Sequence, residues 1–225
     1  MKAMILAAGR GERMRPLTDD VPKPLLLVGG NYLISWTILK LKQAGITDLV
    51  VNISHLAEQI EHALGDGAKF GVHIRYSFER EALETAGGIA WALPLLDEQP
   101  FLVVNSDVYS NYDFAGLRER AQTLCAKQPA HLVLVDNPDH HPQGDFALRE
   151  GVVTTQGTRL TFSGIGAYHP ALFTGIARGE KARLAALLAQ PIAGGRVSGE
   201  HFRGEWRDIG TPQRLAELDA QMRSG

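Results

Sequence analysis

Residues 6–28, LAAGRGERMRPLTDDVPKPLLLV, decide how this chain is read. They overlap the end of Met4–Ala8, a short apolar run of the kind a buried strand uses. Gly9 and Gly11 come next, and glycine lets backbone N–H groups approach phosphate oxygens with no Cβ in the way. Arg10, Arg13 and Arg15 add guanidinium forks that match phosphate geometry. Lys23 stands between Pro22 and Pro24, so its backbone is stiff and its side chain can be aimed. Any one of these residues alone fits a solvated surface loop. Together, directly behind a first strand, they point to a nucleoside triphosphate.

The loop is not a Walker sequence, because G-x-x-x-x-G-K-[ST] does not occur. It is not a dinucleotide fingerprint either, since Met14 stands where the third glycine would be. That missing glycine and the surplus of phosphate-directed cations exclude an NAD-dependent oxidoreductase. The net charge of −2 gives no electrostatic support for binding nucleic acid or a membrane surface. With one cysteine, Cys125, no intrachain disulfide can form, and the pattern around it reads as a helix-packing position. The apolar start is too short for a signal peptide and ends in Arg10, and no stretch is apolar enough to span a bilayer. A cytoplasmic enzyme is the expectation.

Working outward, strand-like runs alternate with helical patterns. Met4–Ala8, Leu49–Ile53, His73–Ser77 and Phe101–Asn105 read as strands, with helices over Leu33–Ala44, Leu56–Leu64 and Gly87–Leu96. Gly45 reads as a helix stop. The alternation predicts a mostly parallel sheet covered by helices on both faces, in one α/β domain of 225 residues. Ligands bind at the carboxyl ends of such strands, so the loops after the first strand and after Phe101–Asn105 can share one cleft. Later, Ala130–Val135, Ala147–Val153, Arg159–Tyr168 and Arg196–Phe202 read as strands. Helices are expected near Ala171–Ile176 and Lys181–Ala189, and a last one capped by Thr211.

Three further groups carry chemistry. Asp107, at the end of a buried strand, can offer a hard oxygen to a divalent cation, or serve an Asx turn or helix cap. Asp208, in Trp206–Pro212, precedes a turn and a helix, with the same two readings. In Glu79–Gly88, the glycines Gly87 and Gly88 read as a helix start whose N–H groups can face a ligand, and at least one of Glu79, Glu81 and Glu84 is surface charge.

The motifs LAAGRGERMRPLT, PKPLL, LETAGG, NSDV, GDFAL, FSGIGAY and WRDIGTPQRL, in this order, resemble those of the sugar-1-phosphate nucleotidyltransferases. The resemblance spans nearly the whole chain. It implies a Rossmann-like, glycosyltransferase-A-like fold without a C-terminal β-helix, with residues 1–110 as a nucleotide-binding half and 111–225 as a sugar-binding half. It implies that Asp107 and Asp208 hold Mg²⁺, that Arg13 neutralises the departing phosphates, and that Lys23 bridges the α-phosphate and the incoming phosphate. It places the nucleotide against Ala8, Gly9, Gly11, Arg13, Lys23, Glu79, Thr85 and Gly88. Uracil suits this region: Glu79 can accept its N3–H, while backbone amides near Gly9 or Thr85 serve its carbonyls. The same reasoning leaves GTP open.

Within the family, the small single-domain uridylyltransferases of cell-wall sugar recycling are most similar. They imply UTP and N-acetylmuramic acid 1-phosphate as substrates. A mannose-1-phosphate guanylyltransferase and a glucose-1-phosphate thymidylyl- or uridylyltransferase are the alternatives, and a catalytically dead nucleotide-sugar sensor is the alternative of another class. The expected sugar contacts are Asn105, Gly144, Glu150 and Gly164. Arg149, His201 and Arg203 are candidates to meet the acceptor's lactyl carboxylate, and His140–His141 read as a polar loop. Gly30-Asn31-Tyr32 replaces the family's Gly-Lys-Pro, and residues 149–158 align poorly with its pattern. No feature sets the oligomeric state.

Overall fold

The computed structural model of the chain describes residues 1–224. Its strands are β1 (Lys2–Leu6), β2 (Leu27–Val28), β3 (Asn31–Tyr32), β4 (Asp48–Ile53), β5 (His73–Phe78), β6 (Phe101–Asn105), β7 (Val108–Ser110), β8 (Ala130–Val135), β9 (Phe146–Arg149), β10 (Val152–Thr154), β11 (Arg159–Tyr168), β12 (Val197–His201) and β13 (Trp206–Asp208). The helices are α1 (Leu33–Gln43), α2 (Ala57–Leu64), α3 (Glu84–Leu96), α4 (Phe114–Ala121), α5 (Leu184–Ala193) and α6 (Pro212–Ser224).

One sheet runs β5-β4-β1-β6-β11-β8-β12-β10-β9. Its first four strands are parallel, and their side chains alternate between two cores, as the two-residue strand period requires. Ala3, Ile5, Leu49, Val51, Leu102 and Val104 pack with Ile34, Ile38 and Leu41 of α1, Ile60 of α2 and Leu117 of α4. Met4, Val50, Phe101 and Val103 pack on the other face with Ile89 and Leu96 of α3 and Leu188 of α5. The chain places β4 on one side of β1 and β6 on the other, so the crevice opens where the strand order reverses, at the ends of β1 and β6.

The Rossmann-like expectation of parallel strands between two helical layers holds in this first half. The second half is mixed: β11 runs antiparallel to both β6 and β8, and β9 and β10 extend the edge antiparallel. The short turn at Glu150–Gly151 permits only antiparallel pairing of β9 with β10, whereas β12 returns to run parallel to β8.

Several local expectations are corrected. Ala147–Val153 is not one strand but a hairpin, because Glu150 (φ 51°) and Gly151 (φ 78°) form a left-handed turn inside it. The stretch near Ala171–Ile176 forms only a short 3₁₀ turn, Pro170–Leu172, and the next helix starts at Leu184. Cys125 does not pack in a helix: α4 ends at Ala121, and Cys125 is exposed in a turn that pairs with Gln128. Gly45, at φ 73°, does stop α1, donating its N–H to the carbonyl of Lys42 at 2.9 Å. Thr211 does cap α6, its Oγ1 accepting the N–H of Arg214 at 3.3 Å ahead of Pro212 at the first helical position.

Candidate functional site

The loop after β1 is charged outside and anchored inside. A 3₁₀ turn over Glu12–Met14 buries Met14 completely among Leu26, Val28, Leu33, Ile209, Leu215 and Leu218. Gly11 has φ +64°, and a Cβ there would stand 3.0 Å from Thr18 Cγ2 and 3.2 Å from Lys23 Cβ, so only glycine suits the position. The buried Thr18 hydroxyl donates to the Gly11 carbonyl at 2.8 Å and closes the loop on itself. Gly9 is different: a Cβ there would meet nothing within 4 Å, and the residue borders a cavity. Arg10 and Arg13 line that cavity. Arg15 does not; it ion-pairs with Asp19 at 3.3 Å, because the turn that buries Met14 sends its neighbours to different sides.

The cavity has a volume of about 700 Å³ and takes in Ala8, Gly9, Gly11, Arg13, Lys23, Glu79, Thr85, Asn105 and Asp107. A second cavity, of about 310 Å³, takes in Arg13, Asn105, Asp107, His140, His141, Gly164, Trp206 and Asp208. The two share Arg13, Asn105 and Asp107, so they are adjoining chambers with these residues at the seam.

Asp107 sits in the turn between β6 and β7, and its carboxylate accepts from the Lys23 ammonium, an ion pair that is 12% exposed on the lysine side and 27% on the aspartate side. Pairing of β13 with β7 sets Asp208 opposite Val108, and the N–H of Ile209 donates to the Asp107 carbonyl at 2.8 Å. This ribbon brings together two acids a hundred residues apart in sequence. Asp208 accepts from Arg214 Nη1 at 2.6 Å, and His140 Nε2 lies 3.1 Å from the same carboxylate oxygen. Among the described residues no group of three or more His, Cys, Asp or Glu forms a metal cage. A pair of hard carboxylate oxygens, with the remaining positions left to phosphate and water, is the donor set Mg²⁺ uses.

Glu79 lies at the other end of the first chamber and is almost fully buried. Burial pushes its carboxyl pKa up, against the lowering effect of hydrogen bonds from the Leu83 backbone and the Asn52 side chain. The bonds form a directed chain: the Ala7 N–H donates to Asn52 Oδ1 at 2.7 Å, Asn52 Nδ2 donates to Glu79 Oε1 at 2.6 Å, and the Leu83 N–H donates to Glu79 Oε2 at 2.9 Å. Both incoming groups are donors, so the residue at 79 must be acceptor-only. Glu79→Gln is expected to leave one buried donor facing an amide N–H and to cost about 1–3 kcal/mol, read as a lower urea midpoint at unchanged m-value; an unaltered midpoint would refute the chain.

The expectation that Gly87 and Gly88 open a helix toward a ligand is corrected. α3 begins earlier, at Glu84, and the N–H groups of Ala86 and Gly87 donate to the Ala182 carbonyl at 3.0 and 3.1 Å. Gly88 is buried behind Glu79, where a Cβ would stand 2.6 Å from Glu79 Oε1. Glycine there makes room for the carboxylate. Glu81 is surface charge, paired with Lys181 at 3.0 Å, and Glu84, exposed and 3.8 Å from Arg183, stands at the rim of the first chamber.

On the sugar side, Asn105 and Gly164 lie together: Gly164 has φ +77°, and a Cβ on it would fall 2.6 Å from Asn105 Nδ2. Gly144 and Glu150 are outside both chambers, Gly144 packed on Asn137 and Glu150 at the exposed hairpin tip. Nor do Arg149, His201 and Arg203 reach the chambers: Arg149 is exposed on the edge hairpin, His201 pairs with Asp136 at 2.9 Å, and Arg203 donates to His201. The sequence reading missed three residues. Asn52 had a visible signal, a lone amide inside the apolar run DLVVNI. His140 and Arg214 had none, since their meeting at Asp208 depends on long-range packing.

The nucleotidyl transferase family model matches residues 2–159. Over 225 residues the chain is 54% identical to the N-acetylmuramate alpha-1-phosphate uridylyltransferase of Neisseria meningitidis serogroup B, covering 98% of this chain and 97% of that one. It is 31% identical to the mannose-1-phosphate guanyltransferase of Neurospora crassa, with 95% of this chain matched but only 62% of that protein's length. The crystal structure of HddC from Yersinia pseudotuberculosis with GMP-PN superposes with a TM-score of 0.81 at 20% identity, over 98% of both chains, which speaks to the fold alone. The chain belongs to the nucleotidyl transferase family.

Proposed function

We propose that this protein transfers UMP from UTP to N-acetylmuramic acid 1-phosphate, releasing pyrophosphate. The observation that carries the reading is the seam, where Arg13 and Asp107, the latter paired with Lys23 of the first chamber, stand between a nucleotide-sized chamber and a smaller one, with Asp208 in the smaller. Two anionic substrates entering from opposite sides would meet at these cations. The Neisseria meningitidis relative supports the choice of nucleotide and sugar.

An oxygen of the sugar phosphate bonds to the α-phosphorus of UTP, the bond from that phosphorus to the bridging oxygen breaks, and pyrophosphate leaves. A phosphate dianion is already nucleophilic, so no general base is needed, and catalysis consists of positioning and charge stabilisation. Lys23 would hold the α-phosphate and the incoming phosphate together, and Arg13 would neutralise the leaving group. Asp107 and Asp208 would hold Mg²⁺, which reduces the repulsion between the two anions. Glu79 keeps a second lone pair on each oxygen and can accept the uracil N3–H, which disfavours cytosine, an acceptor at N3. On this reading residues 1–110 supply the nucleotide side, and the later half supplies His140, His141, Trp206 and Asp208 to the sugar side.

The likeness to mannose-1-phosphate guanyltransferase supports a second reading, GTP with mannose 1-phosphate. Retention of Arg13, Lys23, Asp107 and Asp208 together argues against an inactive sensor. The test is pyrophosphate release with Mg²⁺ and each nucleoside triphosphate against a panel of sugar 1-phosphates. UTP with N-acetylmuramic acid 1-phosphate is expected to turn over fastest. Release only with GTP and mannose 1-phosphate would install the second reading, and no release with any pair would favour the sensor.

A further inference from the structure

The proposed acceptor carries a lactyl carboxylate beyond its phosphate, and the seam is already crowded with negative charge. That carboxylate needs a donor not committed to a phosphate. On the reading above, Lys23 and Arg13 are committed to phosphates. Of the basic side chains lining the sugar-side chamber, His140 and His141 remain. His140 Nε2 is taken up between Arg214 Nη1, at 2.8 Å, and Asp208, at 3.1 Å. His141 is held differently: its Nε2 meets Asp145 Oδ1 at 3.1 Å, which turns the ring and leaves Nδ1 as the nitrogen that can meet a ligand.

The loop carrying the pair is braced. Asp145 Oδ2 accepts the N–H of Phe162 at 2.8 Å. Asn137 Nδ2 donates to the carbonyls of Pro142, at 3.2 Å, and Arg159, at 3.0 Å, while its Oδ1 accepts the Thr161 hydroxyl at 2.9 Å. Gly144 lets the turn close, since a Cβ there would stand 2.7 Å from Asn137 Oδ1. So the imidazole is presented from a tied loop, with little rotamer freedom to lose on binding.

We infer that His141, oriented by Asp145, binds the carboxylate of the acceptor and makes the site selective for an acidic sugar 1-phosphate. The inference rests on the uridylyl-transfer reading and names the side chain behind its choice of sugar. A protonated ring would donate to the carboxylate in a charge-assisted hydrogen bond.

The test compares N-acetylmuramic acid 1-phosphate with N-acetylglucosamine 1-phosphate, the same sugar without the lactyl ether, in the full chain with UTP and Mg²⁺. In His141→Ala the preference for the carboxylated acceptor, as the ratio of kcat/KM (or Ki where the second sugar is not turned over), is expected to fall about tenfold or more, carried by KM. His141→Arg is expected to recover most of it. If His141→Ala loses its thermal shift with UTP, His141→Gln takes its place with the same expected fall. An unchanged ratio, or equal losses for both acceptors, would overturn the inference. Wild-type protein that turns over other sugars but never the carboxylated one would overturn the choice of acceptor, and the inference with it.

Discussion

Asp107→Asn is expected to lower turnover by about a thousandfold, corresponding to roughly 4 kcal/mol of lost charge stabilisation at the reacting phosphates. The amide is the same size but gives a cation only one weak oxygen. The fold should persist, because the carboxylate's ion pair with Lys23 is partly exposed and the turn holding it is fastened by backbone bonds, including the 2.8 Å bond from the Ile209 N–H to the Asp107 carbonyl. Loss of the partly solvated pair should cost about 1 kcal/mol or less. Steady-state pyrophosphate release at saturating substrates, with a thermal melt beside it, checks both parts. A variant with near-normal kcat would remove Asp107 from the reacting centre, whatever its melting temperature.

Lys23→Ala is expected to lose about 10²–10³ in kcat, the range seen when one preorganised donor to a developing charge is removed. The lysine is preorganised in the literal sense: a 3₁₀ turn over Lys23–Leu25, entered from Pro22, fixes its backbone, and only 12% of its side chain is exposed. The informative experiment is the double variant. Lys23 and Asp107 touch, so their effects should overlap, and Lys23→Ala/Asp107→Asn should be little worse than the poorer single variant. Losses that multiply would mean that the two act in separate steps, and the seam would not be one reacting centre.

What could be read in advance was what is local. The glycine–arginine loop, the period-2 strands and the helix stop at Gly45 are each set by neighbours in sequence, and the parallel half of the sheet follows from them. The junction of Asp107 and Asp208 was available only through the resemblance, because β13 meets β7 across a hundred residues. The failures share a cause. Gly87 and Gly88 have the composition of a helix start, yet the first turn of α3 spends its N–H groups on Ala182, a partner no local window contains. Arg149, His201 and Arg203 were nominated for their charge, but the edge hairpin and Asp136 hold them elsewhere. His140 and His141, adjacent and unremarkable, acquire meaning from Asp208, Arg214 and Asp145.

The small core around Met14 has a consequence for how the protein comes to be. Met14, Leu26 and Leu33 leave the ribosome well before Ile209, Leu215 and Leu218, on which they pack. Gly29 joins the same ends, its N–H donating to Asp219 at 2.8 Å. The parallel strands need none of these late residues, but the seat beneath the loop after β1 is complete only when Ile209 and α6 have joined Leu26, Val28 and Leu33. The loop after β1 is therefore completed only after the later half of the chain is made, and a ribosome-bound intermediate lacking α6 holds the loop's arginines on a tether rather than a platform.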